Sequence, residues 1–202
     1  MPNPSAATHP PLVLASSSPY RRELLSRLGV EFSTTSPDID ETRKEQEHAD
    51  ELVVRLAVEK AKTVAESHPD ALIIGSDQVA TLQGRILGKP GNHERAVEQL
   101  KSASGHRVTF STGLCVYNSR TGELQSRCEH FHVHFRNLQA YEIEHYLRKE
   151  QPYQCAGSFK SEGLGICLFE RLEGDDPNTL IGLPLIRLIE MLRCEGLDIL
   201  AV

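Results

Sequence analysis

The stretch that decides the fold is Leu12-Val13-Leu14-Ala15-Ser16-Ser17-Ser18-Pro19-Tyr20-Arg21-Arg22. Its first four residues form a continuous apolar run, the pattern of a buried strand. Three serines then interrupt it. Pro19 suits the first turn of a helix, where its missing N–H costs nothing, and Ser18 is placed to cap that turn. Leu24, Leu25 and Leu28 turn inward, and Gly29 stops the helix. A strand that passes through a short polar loop into a helix is the opening unit of an α/β fold.

The rest of the chain extends that pattern. Glu31–Ser36 suits a second strand, closed by Pro37. Asp50 to His68 reads as a long helix, with Val53, Leu56, Ala57, Ala61 and Val64 at three- and four-residue spacing. Ala71–Ser76 is a core strand that runs into Asp77, and a hairpin-like stretch after Gly84 ends at Leu87-Gly88-Lys89-Pro90. A third helix spans about Asn92 to Lys101. Val108–Tyr117 and Leu124–Phe135 flank a turn and predict an antiparallel hairpin. Asn137–Lys149 reads as an amphipathic helix, Gly165–Phe169 as a strand, and Thr179–Cys194 as a helix with an irregular start at Gly182-Leu183-Pro184. The expectation is an α/β fold: one domain over residues 12–202, its mixed, partly antiparallel twisted sheet flanked by helices. Residues 1–11, rich in proline, read as a flexible N-terminal extension.

Composition narrows the function. There are 22 Lys and Arg against 28 Asp and Glu, a net charge of −6. No positive surplus exists to release counterions from a nucleic-acid backbone, so a nucleic-acid partner is not expected. The apolar run Ala71–Ile74 is far short of a membrane span, so no membrane is expected either. The five cysteines are odd in number and contain no C-x-x-C pair, which suits reduced thiols in the cytoplasm.

Several groups point to anion chemistry. A helix start offers free N–H groups and the positive end of a dipole. Arg21 and Arg22 oppose that dipole; the placement makes sense if an anion neutralises them, and otherwise they are solvated surface arginines. Lys60 lies within the apolar stripe of its helix, four residues from Leu56 and from Val64. A buried ammonium needs a partner: a core carboxylate, a bound phosphate, or the water at the stripe's edge. Asp77 leaves an apolar strand where open α/β sheets bind ligands, and a carboxylate there activates water, holds a metal or caps a turn. Asp38, Asp40 and Glu41 place three hard oxygen donors in four residues, a set that suits Mg²⁺ or Mn²⁺ if it is not merely solvated. His130, His132 and His134 share one strand face. Zinc ligation is one reading, but polar alternation on a half-exposed strand is the favoured one. Cys155 reads as a small core residue.

Taken in order, Leu14–Arg22, Asp38–Thr42, Glu59-Lys60-Ala61, Ile74–Val79, Gly88-Lys89-Pro90, Cys155–Gly163 and Asn178–Pro184 resemble the Maf family of nucleoside triphosphate pyrophosphatases, from residue 12 to about 196. The Ser-Asp-Gln and Lys-Ser-Glu versions of two motifs resemble the subfamily that acts on 7-methyl-GTP. The resemblance implies a deep nucleotide cleft, a divalent cation (Mg²⁺ or Mn²⁺), a small-molecule nucleoside triphosphate as the partner, and a homodimer. It implies Asp77 as proton acceptor and Glu41 as a catalytic or metal-linked carboxylate, so that Glu41 and Asp77 form the metal set. It assigns Ser16, Arg21, Lys60 and Lys89 to the phosphates, and Tyr20, Gln78 and Glu162 to substrate choice. Tyr20 stands where Trp is expected and is the weaker cation–π partner. The alternatives are a dTTP/UTP pyrophosphatase and a nucleotide-binding regulator of septum formation.

Overall fold

A computed structural model describes residues 9–201. Four short residues, Leu12–Ala15 (β1), seed the sheet, because every one of them is buried. β1 pairs in parallel with Phe32–Thr35 (β2) on one side and with Leu72–Leu82 (β3) on the other. Everything beyond β3 is antiparallel: Arg107–Asn118 (β5), Leu124–Phe135 (β6) and Phe169–Glu173 (β7) follow in that order. The short strand Arg85–Leu87 (β4) folds back on the end of β3 through Gln83 and Gly84, both at positive φ, as a tight hairpin requires. The sheet is therefore mixed and seven-stranded, as the sequence pattern implies.

Alternation along the central strands divides the layers. Leu12, Leu14, Leu72 and Ile74 face one side, where they pack with Leu24 and Leu25 of Pro19–Ser26 (α1) and with Leu188 and Leu192 of Leu185–Cys194 (α6). Val13, Ala15 and Ile73 face the other side, against Ala57, Ala61 and Val64 of Ala49–Ala65 (α2). A further apolar cluster joins the far ends of β3, β5 and β6 to His93–Ala103 (α3) and Ala140–Glu150 (α4).

α2 lies directly on the sheet because two strands present glycine beneath it. A Cβ on Gly75 would stand 2.0 Å from the Ala57 carbonyl oxygen, and one on Gly113 would stand 2.0 Å from that of Val53. Neither contact has room for a methyl group.

Several expectations change. Asp77 does not leave a strand; it sits inside the 11-residue β3. Its ligand-facing position has another origin. β1 ends opposite Gly75 and β4 ends opposite Ala80, so Ser76-Asp77-Gln78-Val79 borders a four-residue gap on that side of β3. The parallel-to-antiparallel switch lies there, where α/β sheets open a crevice. Gly165–Phe169 is not a strand: Leu164–Leu168 forms a 3₁₀ turn, and β7 starts at Phe169. The backbone of Gly165 packs onto that of Lys160, with 2.3 Å from a Cβ to the Lys160 carbonyl, and an extended strand would lose this contact. The C-terminal helix is two pieces, Asn178–Ile181 (α5) and α6, parted by Gly182 at φ 117°. Residues 1–8 of the expected extension and Val202 fall outside the described residues. Pro10 is buried and the Pro11 carbonyl accepts a bond from the Leu72 amide, so that end of the extension is part of the fold.

Gly75→Ala should destabilise the chain by about 3 kcal/mol, the upper range for overpacking. Thermal unfolding checks this, as about 2–4 °C of lowered Tm for each kcal/mol. An unchanged Tm would show that α2 can lift from the sheet without loss.

Candidate active site

The gap beside Ser76–Val79 opens into a cleft of about 680 Å³. Ser16, Tyr20, Arg21, Glu41, Lys60, Asp77, Gln78, Lys89 and Glu162, all expected at the site, line it. They come from α1, α2, β3 and four loops, so the cleft is a product of the whole fold.

Its centre is an ion cluster. Lys60 is only 6% exposed and Asp77 only 8%. The Lys60 ammonium donates to Asp77 Oδ1 at 2.6 Å and pairs with Glu41 Oε1 at 2.6 Å. Of the three partners considered for Lys60, the carboxylate is the one in place. Burial would push the Glu41 carboxyl up, but Lys60, Lys89 and Arg21 outweigh it and hold Glu41 below the usual carboxylate range. Of the acidic triplet only Glu41 lines the cleft. Asp40 caps its own loop by accepting from the Thr42 amide at 2.9 Å, and Asp38 is exposed, so the expected three-donor set is not assembled.

The helix start behaves differently for its two arginines. Ser18 caps α1 by accepting from the Arg21 amide, and Ser16 Oγ accepts from the Ser18 amide. Arg22 is exposed and does not line the cleft. Arg21 turns in, and its Nε donates to the Gly182 carbonyl at 2.8 Å. Burial lowers its affinity for the proton, while the nearby charges of Asp77 and Glu41 oppose that fall. The same Gly182 carbonyl accepts from Ser76 Oγ at 2.9 Å. Gln78 Nε2 donates to Thr112 Oγ1 at 2.9 Å and to the Thr179 carbonyl at 2.7 Å, so its amide N–H groups hold α5 against the sheet. Gln78 therefore shapes the cleft wall through the protein's own backbone.

Tyr20 also lines the cleft and is 37% exposed. Burial raises its phenol pKa, Cys155 and Glu162 push the same way, and Lys160 opposes them. Glu162 is exposed on the rim. Cys155, which the sequence suggests as a small core residue, is instead half-buried in the cleft wall beside Tyr20. The three histidines share a strand face, yet each has its own partner: His130 meets Asp50, His132 meets Thr109, and His134 meets Glu173.

Sequence reasoning missed Arg55. Its guanidinium grips Glu47 through two bonds of 2.6 and 2.8 Å, holds Glu59 at 3.0 Å and the Thr42 carbonyl at 3.1 Å. That fork fastens the irregular 38–47 loop, with Glu41 on it, to the helix that carries Lys60. The only sequence signal is the Arg55/Glu59 spacing of four.

An α/β domain whose cleft sets carboxylates among lysines and an arginine is a site for a polyanionic small molecule. The chain belongs to the Maf family: the Maf-like protein family profile matches residues 11–195. Three relatives named 7-methyl-GTP pyrophosphatase cover nearly all of it. The one from Nitrosococcus oceani is 57% identical over 200 residues, 99% of each chain. That from Alcanivorax borkumensis is 58% identical over 94% of this chain and 96% of its own. That from Pseudomonas fluorescens is 61% identical over 94% and 98%.

Arg55 holds the Glu47 carboxyl at about 2, well below its ordinary 4.5. A depressed carboxyl contributes stability above its unfolded value and loses it as pH falls toward the folded one. Wild-type urea midpoints should therefore fall more steeply between pH 4.5 and 2 than those of Glu47→Gln. Parallel curves would remove Glu47 from the loop's anchorage.

Proposed function

We propose that this Maf protein is a nucleoside triphosphate pyrophosphatase that hydrolyses 7-methyl-GTP to 7-methyl-GMP and pyrophosphate. The reaction rests on one observation: the buried Asp77 carboxylate stands among Lys60, Arg21 and Lys89 in the cleft. The choice of 7-methyl-GTP rests on the near full-length identity to the three relatives of that name.

In this reading Asp77 takes a proton from water as its oxygen attacks the α-phosphorus. The bond from that phosphorus to the bridging oxygen breaks, and pyrophosphate leaves. Lys89, Arg21 and Lys60 face the negative charge that builds on the leaving group. Ser16 and the positive end of the α1 dipole lie beside them. Tyr20 offers its ring to the methylated base, which carries positive charge and is drawn to an aromatic face. Glu162, on the same rim, accepts from the guanine N1–H and 2-amino groups.

Glu41 and Asp77 suit a divalent cation. Both are hard oxygen donors, and they converge on one positive charge, the Lys60 ammonium, at 2.6 Å each. They are the residues that would hold Mg²⁺ or Mn²⁺, which supplies charge neutralisation for the triphosphate. Cytoplasmic residence and a homodimer belong to the same proposal; among the described residues no helix is long and apolar enough to cross a membrane.

The experiment is a screen of canonical and N7-methylated nucleoside triphosphates, read by pyrophosphate release. Wild type should prefer 7-methyl-GTP. Asp77→Asn should lower kcat by about 10²-fold or more on every substrate. Glu162→Ala should lower kcat/KM chiefly for guanine bases. A near-normal kcat in Asp77→Asn, or a preference for dTTP or UTP, would overturn the reading.

Removal of divalent ions by EDTA should abolish turnover, and Mg²⁺ or Mn²⁺ should restore it. Turnover that survives thorough chelation would show that Glu41 and Asp77 act without a metal.

A further inference from the structure

Away from the cleft, three chemically different donors converge where the first turn of α2 meets β6. Asp50 lies in that first turn, and Cys128 and His130 lie on one face of β6. His130 Nε2 is 3.0 Å from each Asp50 carboxylate oxygen and 3.9 Å from Cys128 Sγ. The three ligand atoms all lie within 4.8 Å of one another. The convergence follows from the sheet. Cys128 stands opposite Gly113, the residue that lets α2 touch β5, and His130 stands opposite Ser111. Ser111 Oγ donates to Asp50 Oδ1 at 2.7 Å and fixes the carboxylate's orientation.

A catalytic relay is excluded by this geometry. A thiol–imidazole–carboxylate relay needs the thiol and the carboxylate on opposite ring nitrogens. Here both face Nε2 of His130. Three donors around one point are instead the arrangement of a metal site. Zinc bonds of about 2.0–2.3 Å to oxygen, nitrogen and sulfur set tetrahedral edges near about 3.3–3.6 Å. The observed 3.0 and 3.9 Å bracket that range. A thiolate, an imidazole and a carboxylate together favour a borderline-soft ion over Mg²⁺.

We propose that Asp50, Cys128 and His130 form a Zn²⁺ site. The Asp50 and His130 side chains are 53% and 43% exposed, so water completes the coordination. Binding releases the Cys128 thiol proton, and the neutral imidazole keeps its proton on Nδ1. The ion joins the first turn of α2 to β6. It takes no part in the hydrolysis: Leu52, Leu56 and Lys60 of α2 line the cleft, whereas Asp50, Cys128 and His130 do not.

The test uses the full chain, stripped of metal and titrated with Co²⁺ as a spectroscopic stand-in, then with Zn²⁺. One equivalent of Co²⁺ should bring up a thiolate-to-cobalt charge-transfer band, and Zn²⁺ should displace it. Cys128→Ser and His130→Gln should each abolish the band and leave 7-methyl-GTP turnover in Mg²⁺ unchanged. His130 is a half-exposed strand residue, so its variant decides the matter even if Cys128→Ser fails to fold. Absence of the band in wild type, or its persistence in His130→Gln, would overturn the site. A band that is lost only when Cys155, Cys167 or Cys194 is replaced would do the same.

Discussion

The Lys60 ammonium, held at 2.6 Å by two carboxylates, is the interaction on which the active cleft depends. A lone charge at 6% exposure is untenable, and so is a lone Asp77 at 8%. Each is tolerated because the other is there. They meet because α2 lies low on the sheet, and that height is reached because Gly75 and Gly113 let backbone rest on backbone. A longer side chain at either glycine would lift the helix and part the ion pair. The apolar packing of α2 and the charge arrangement of the cleft are thus one constraint seen from two sides.

A second tier of contacts fixes what the ion pair leaves loose. Glu41 sits on a segment with no regular structure, and Arg55 ties that segment back to α2 at Glu47 and Thr42. Arg21 sits at a helix start where its charge is locally unfavourable, and the Gly182 carbonyl receives it. Gly182 can aim that carbonyl because it adopts φ 117° between α5 and α6, with Arg21 Nε 3.4 Å from where a Cβ would stand. The break in the C-terminal helix is what holds the Arg21 side chain in the cleft.

The strand-loop-helix opening, the α2 stripe and the β5–β6 hairpin were legible in the sequence because each is a local periodicity. So was most of the membership of the cleft, since the nine residues that the family resemblance assigns to it line it, while Arg22, Asp38 and Asp40 do not. What stayed hidden was pairing at long separation. Nothing near Lys60 shows that its partner is 17 residues on, and nothing near Arg21 points to a carbonyl 161 residues away. The sequence places Asp77 at a strand end because the apolar run ends there. The strand continues since β5 pairs with it through Leu82, and the opening comes from where β1 and β4 stop. The Gly165 segment misled for the opposite reason: its apolar composition suits a strand, but its contact with Lys160 backbone requires a turn.

The charge of the cleft also bears on the kind of ligand it accepts. Arg21, Lys60 and Lys89 balance Glu41, Asp77 and Glu162, although the whole chain carries −6. That balance lets the groups gather in a partly desolvated cleft before any ligand arrives. It also means that Lys60 is already committed, and a phosphate oxygen must compete with two carboxylates for it. Arg21 has its Nε committed as well. Lys89 is exposed and makes no ion pair among the described residues, so it is the cation a ligand meets uncontested. A bare anion gains little from such a cleft, because its charge is opposed by the carboxylates as much as it is drawn by the cations. A polyphosphate that arrives with its charge largely compensated gains from every donor at once. The near-neutral arrangement therefore favours a charge-compensated polyanion over free phosphate, and it does so by charge balance rather than by shape.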